Sequence, residues 1–105
     1  MSDDMRLVGR WVLTETDDTQ MRRFEEVWME LFGDGRLVFC ADYGPQVGCS
    51  EFIYRIEGSE LITEEDGERD IRRAKYQFTN DGHLRLDHGK TYSLFRKGAV
   101  GAGPV

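Results

Sequence analysis

The second half of the chain is a run of short alternating segments separated by glycine-bearing turns, and this pattern constrains the fold more than any other feature. Phe52-Ile53-Tyr54-Arg55-Ile56 reaches Glu57-Gly58-Ser59-Glu60 and returns as Leu61-Ile62-Thr63. Ala74-Lys75-Tyr76-Gln77-Phe78 reaches Asn80-Asp81-Gly82 and returns as Leu84-Arg85-Leu86, and His88-Gly89 leads into Thr91-Tyr92-Ser93-Leu94-Phe95-Arg96. Period-two patterning with turn chemistry between the runs specifies antiparallel hairpins. Consecutive hairpins sharing one apolar face must curl around it, and a curled sheet encloses a core or a pocket.

The first half continues the meander. Gly9–Glu15 reads as a strand with Trp11 and Leu13 on one face, ended by Asp17-Asp18-Thr19-Gln20. The next stretch admits two readings. Met21, Phe24, Val27, Trp28 and Leu31 fall at helical spacing, with Asp18 or Thr19 able to cap and Gly33 able to terminate. Val27, Trp28 and Phe32 instead favour a strand pairing with Arg36–Ala41 across Gly33-Asp34-Gly35. The expectation is a short helical turn near residues 19–25, then a strand. A two-residue loop would set Glu30 opposite Phe39, inside; a three-residue loop would set Leu31 opposite Leu37 and turn Glu30 outward. The whole reads as all-β: an eight-stranded antiparallel up-and-down meander closing into a small barrel over residues 1–97. The Gly/Ala-rich tail, 98–105, is expected to be flexible.

Composition bounds the function. A chain of 105 residues makes one domain with a modest core. A formal net charge of -6 argues against nucleic acid and against anionic membrane surfaces as partners. Arg69, Arg72 and Arg73 form a basic group, but acids from Glu57 to Glu68 adjoin it, and it reads as solvated charge at strand ends. Met1-Ser2-Asp3-Asp4 has no signal-like character, and no apolar run approaches the ~20 residues of a membrane helix. A cytoplasmic location follows as an expectation, and with it reduced thiols at Cys40 and Cys49. Two His and two Cys at scattered spacing give no zinc signature.

Leu7-Val8-Gly9-Arg10-Trp11 resembles the Leu-x-Gly-x-Trp opening of lipocalin-like and related calycin barrels. Trp28-Met29-Glu30-Leu31-Phe32-Gly33-Asp34-Gly35 is similar to their second strand and its Phe-x-x-Gly turn, and Tyr92-Ser93-Leu94-Phe95-Arg96 to their closing strand. The resemblance implies an arginine of the last strand over the first-strand tryptophan: Arg96 on Trp11, a cation–π contact closing one barrel end. The chain is shorter than a typical lipocalin and lacks a C-terminal helix pattern.

Candidate binding residues are those expected to point inward from separate strands: Glu30 (in one register), Phe39, Phe52, Tyr54, Thr63, Tyr76 and Tyr92. No Ser-His-Asp order, paired-carboxylate motif or phosphate-cradling loop appears, so catalysis is not expected, and no cofactor is implied. Two readings remain. In one, the barrel binds an apolar or amphipathic small molecule in its interior. In the other, a filled barrel works through its outer surface as an inhibitor-like or immunity-type module. The Trp28–Phe39 hairpin, apolar on both faces, would then receive a protein partner or a second copy, unless a helix bearing Met21 and Phe24 covers it.

Overall fold

Each alternating run becomes a strand in the computed structural model, which describes residues 5–42, 44–65 and 71–98. The strands are β1 (Gly9–Thr16), β2 (Glu26–Leu31), β3 (Arg36–Asp42), β4 (Val47–Glu57), β5 (Glu60–Glu65), β6 (Ile71–Phe78), β7 (Leu84–Asp87) and β8 (Tyr92–Lys97). Each pairs antiparallel with its neighbour in sequence, and β1 pairs with β8, so the eight strands form a closed barrel. Closure leaves no edge strand among the described residues open to another chain. The segment between β1 and β2 holds one 3-10 turn, Met21–Arg23, before β2 begins at Glu26. The helical spacing there thus spans a single turn, and Val27, Trp28 and Leu31 belong to the strand.

The β2–β3 hairpin takes the three-residue register. Leu31 pairs with Leu37, Met29 with Phe39 and Glu30 with Val38. Gly35 sits at φ +93°, the left-handed position that ends a three-residue hairpin loop, and its N–H donates to the Phe32 carbonyl at 3.2 Å. Met29, Leu31 and Leu37 therefore enter the core, while Glu30 lies on the outer wall and accepts from Arg10 Nη2 at 3.2 Å. Beside that ion pair Val12, Trp28, Val38 and Cys40 make a second apolar cluster on the outer wall. The rim turn does not cover this cluster as the sequence suggested, because Met21 and Phe24 fold over the opposite, open end of the barrel.

Strand β8 is one residue out of the expected phase. Ser93 pairs with Leu86 and Phe95 with Leu84, and all four are buried in the interior, at 0 to 5% exposure. Tyr92, Leu94 and Arg96 consequently take the outer wall. Tyr92 lies under the Arg85 guanidinium there, and its hydroxyl bonds to Glu15. Tyr and Leu on one face and Phe on the other make this strand apolar on both sides, so its own alternation is mute. The β7 pairing and the β1–β8 register decide it, the latter with an irregularity between Leu13 and Glu15.

The cysteines also differ from expectation. Cys40 and Cys49 are directly opposed partners of β3 and β4, their Cα atoms are 4.1 Å apart, and their sulfurs are bonded. Two cysteines flanking a loop can face each other across a strand pair, and the β3–β4 register brings these two together on one face, where the expected cytoplasmic location had favoured free thiols. The proposed flexible tail falls on residues 99–105, outside the described residues. Gly98 is described and still belongs to the ladder, donating its N–H to the Arg10 carbonyl at 2.7 Å.

Candidate functional site: an apolar cup with a polar mouth

The two ends of the barrel are built differently. One is a floor. There the tight turns β2–β3, β4–β5 and β6–β7 meet the 3-10 turn Met5–Leu7, whose Leu7 is fully buried. Trp11 Nε1 donates to the Leu7 carbonyl at 2.9 Å, which ties the turn across the opening. The Trp11 and Phe78 rings lie 6.0 Å apart, and the Arg6 guanidinium covers Phe78 at 4.5 Å. Lys97, not Arg96, stands over Trp11: its ammonium is 4.6 Å from the ring and donates to the Val8 carbonyl at 2.7 Å. The β8 phase explains the exchange, since Lys97 pairs with Trp11 while Arg96 pairs with outward Val12 and is exposed. The cation-over-indole arrangement implied by the resemblance is present, one residue displaced and with the other cation.

The opposite end is a mouth, bordered by the β1–β2 segment and the β7–β8 turn. Beneath it lies a cavity of about 950 Å³. Its base is apolar: Met29, Leu37, Leu61, Ala74, Leu86 and Phe95 come from six strands and pack together in the core at 1 to 8% exposure, with Phe39 and Phe52 above them. The polar groups gather at the mouth. Asp18, Gln20 and Arg23 come from the rim turn, Thr63 and Arg72 from the paired ends of β5 and β6, and His88 and Thr91 from the β7–β8 turn. Desolvation at the rim pushes the His88 imidazole below its ordinary value, and nearby Arg72 pushes the same way, against Asp18 and Asp87.

The structure divides the candidate residues. Phe39, Phe52 and Thr63 line the cavity. Tyr54 and Tyr76 are inside but sit toward the floor, where the Tyr54 hydroxyl donates to the Phe32 carbonyl at 2.7 Å and Tyr76 meets Phe78 edge-on. Glu30 and Tyr92 are on the outer wall, and Arg96 is in solvent. Sequence reasoning missed Arg23, Arg72 and His88. For Arg72 the signal was available: it is in phase with Ala74, Tyr76 and Phe78, so period two sends it inward. Arg73, from the same basic group, also borders the cavity and is held by Glu57 at 3.6 Å and Glu60 at 3.4 Å. Arg69 is outside the described residues.

Among the described residues no cluster of three His, Cys, Asp or Glu could hold a metal ion, and no helix is long and apolar enough to cross a membrane. Compared with protein-family models, with curated proteins and with solved structures, the chain finds no match.

Proposed function

We propose that this barrel is a lipocalin-like binding protein that takes an apolar or amphipathic small molecule into its interior without catalysing a reaction. The observation that carries the reading is the cavity of about 950 Å³ with an apolar wall and polar groups confined to one mouth. Small-molecule sites are concave, mostly apolar and supplied with a few orienting polar groups, at volumes of roughly 300–1,000 Å³. The alternative, a filled barrel acting through the Trp28–Phe39 hairpin, has less support: a cavity enters one end of the barrel, and Trp28 is only 7% exposed on the outer wall.

The test is a neutral fluorophore, N-phenylnaphthylamine, titrated into the protein. Burying about 350–400 Å² of such a probe gives roughly 9–10 kcal/mol before association costs, which places binding in the micromolar range. Thr63→Phe projects a ring into the cup from a half-buried position and should weaken binding at least tenfold without lowering the urea midpoint. No binding to the wild type, or equal binding to a folded Thr63→Phe variant, refutes the reading. Location belongs to the same proposal. A Cys40–Cys49 bridge favours an oxidising compartment over the cytoplasm expected from the opening residues. Thiol titration of protein unfolded without reductant should find neither cysteine free, and two free thiols would restore the cytoplasm.

A further inference from the structure

The bridge between Cys40 and Cys49 ties down the start of β4, where the described ladder holds that strand least. β4 pairs with β3 from Val47 to Ile53, whereas among the described residues its pairing with β5 begins at Phe52. The pairs beyond the bridge add little side-chain contact. Ala41 faces Gly48, which has no side chain, and Asp42 faces Val47, which is 52% exposed. β3 is fixed independently on its other side: Ala41 pairs with Val27, Asp42 with Glu26, and the Glu25 N–H donates to the Asp42 carbonyl at 3.0 Å. The limb that depends on the bridge is thus the start of β4, a lip of the barrel whose Ser50 pairs with cavity-lining Phe39.

The two sulfurs are unequally accessible. Cys40 is 5% exposed and packs with Val12, Trp28 and Val38 on the outer wall, while Cys49 is exposed. Neither belongs to the interior core, so the barrel's packing does not rest on the bond between them. We infer that the bridge is a redox-responsive clamp on this lip, opened by a dithiol that attacks Cys49 while the rest of the barrel stays closed. In the first step a thiolate of the dithiol bonds to the Cys49 sulfur, the Cys40–Cys49 bond breaks, and Cys40 leaves as a thiolate that takes a proton from water. In the second, the other thiolate of the dithiol bonds to the first sulfur of the same dithiol, and Cys49 leaves and is protonated in turn. The dithiol is oxidised to a disulfide and the protein gains two thiols; a disulfide oxidant reverses both steps. The device is independent of what the cup holds.

The test follows the bridged protein in dithiothreitol at neutral pH without denaturant. Trp28 is the cross-strand partner of Cys40, and a neighbouring disulfide quenches an indole, so reduction should raise tryptophan emission. The far-ultraviolet circular dichroism should hold, and the amides of residues 46–50 should exchange about tenfold faster or more while those of β1 and β8 keep their rates. Cys40→Ala/Cys49→Ala should show the fast limb with or without dithiothreitol. A bridge cleaved only after urea has unfolded the barrel, reduction that leaves residues 46–50 unchanged, or reduction that unfolds the whole barrel overturns the clamp. So do two free thiols that oxidised glutathione does not join.

Discussion

At the scale of single residues, the floor of the barrel turns on which cation of β8 faces the indole. Lys97 both stacks on Trp11 and donates to a backbone carbonyl, whereas Arg96 is exposed on the other side of the strand. An exposed cation–π contact contributes about 0.5–1 kcal/mol, and the added hydrogen bond brings the expected loss for Lys97→Ala to about 1–2 kcal/mol. Arg96→Ala should stay within about 0.5 kcal/mol, as surface substitutions do. Urea unfolding of the two variants checks the pair, and the reverse ranking would mean that β8 runs in the other phase. The sequence carried the motif but not its phase. Tyr92, Leu94 and Phe95 are all apolar enough for either face, and the pairing of Phe95 with Leu84 on β7 and with Leu13 on β1 separates them. Arg72 is the contrary case. Its inward phase was readable from Ala74, Tyr76 and Phe78, and the adjacent acids obscured it because sequence proximity says nothing about face.

At the scale of elements, one turn sets the face of a whole hairpin. The sequence around Gly33-Asp34-Gly35 allowed two registers because both placed large apolar residues opposite one another. The closed barrel selects the register that puts Met29, Leu31 and Leu37 inside together. Gly35 makes that turn possible through its backbone rather than its size: a Cβ there would meet only the Tyr54 carbonyl, at an ordinary 3.7 Å, but φ is +93°. Gly33 has no such φ, and a Cβ there would have nothing within 4 Å. Gly35→Ala should therefore cost about 1–2 kcal/mol, the penalty of holding an L-residue in that region, while Gly33→Ala should be close to neutral. Thermal or urea midpoints distinguish them, and equal costs would contradict the assigned turn. The same hairpin logic decides the cysteines, whose pairing across the strands was one option and free thiols the expected one. Without the β3–β4 register, Cys40 and Cys49 are two cysteines flanking a loop; with it they are direct cross-strand neighbours.

At the scale of the molecule, eight sequential strands and their closure were legible because period-two patterning and turn glycines repeat along the chain. The sequence could not say that a cavity enters one end of the barrel, since that depends on how far the aromatic side chains reach across a barrel whose size emerges only on closure. The charged groups placed by that closure give the whole molecule a defined pH response. Desolvation lowers His88 from 6.5, so the unfolded chain takes up the proton first, and stability present above 6.5 is lost as pH falls toward the folded value. Arg36 beside Asp34, Arg55 beside Glu57 and Thr79 beside Asp81 hold those carboxyls below their ordinary 3.8, 4.5 and 3.8. Their stabilisation is present above those values and lost as pH falls past them, and added salt weakens the share due to the ion pairs because all three groups are exposed. At the alkaline end the Tyr92 hydroxyl, bonded to Glu15, is raised above 10, so its contribution is intact below 10 and lost as pH climbs through the folded value. The unfolding midpoint should accordingly run flat between about pH 6.5 and 10, with a shallow shoulder near 6.5 and a steeper fall below about 4.5. His88→Gln should erase the shoulder and leave the acid fall, while Tyr92→Phe should flatten the alkaline limb. A midpoint that rises between pH 7 and 5 would mean that the acids around the mouth, rather than desolvation and Arg72, govern His88.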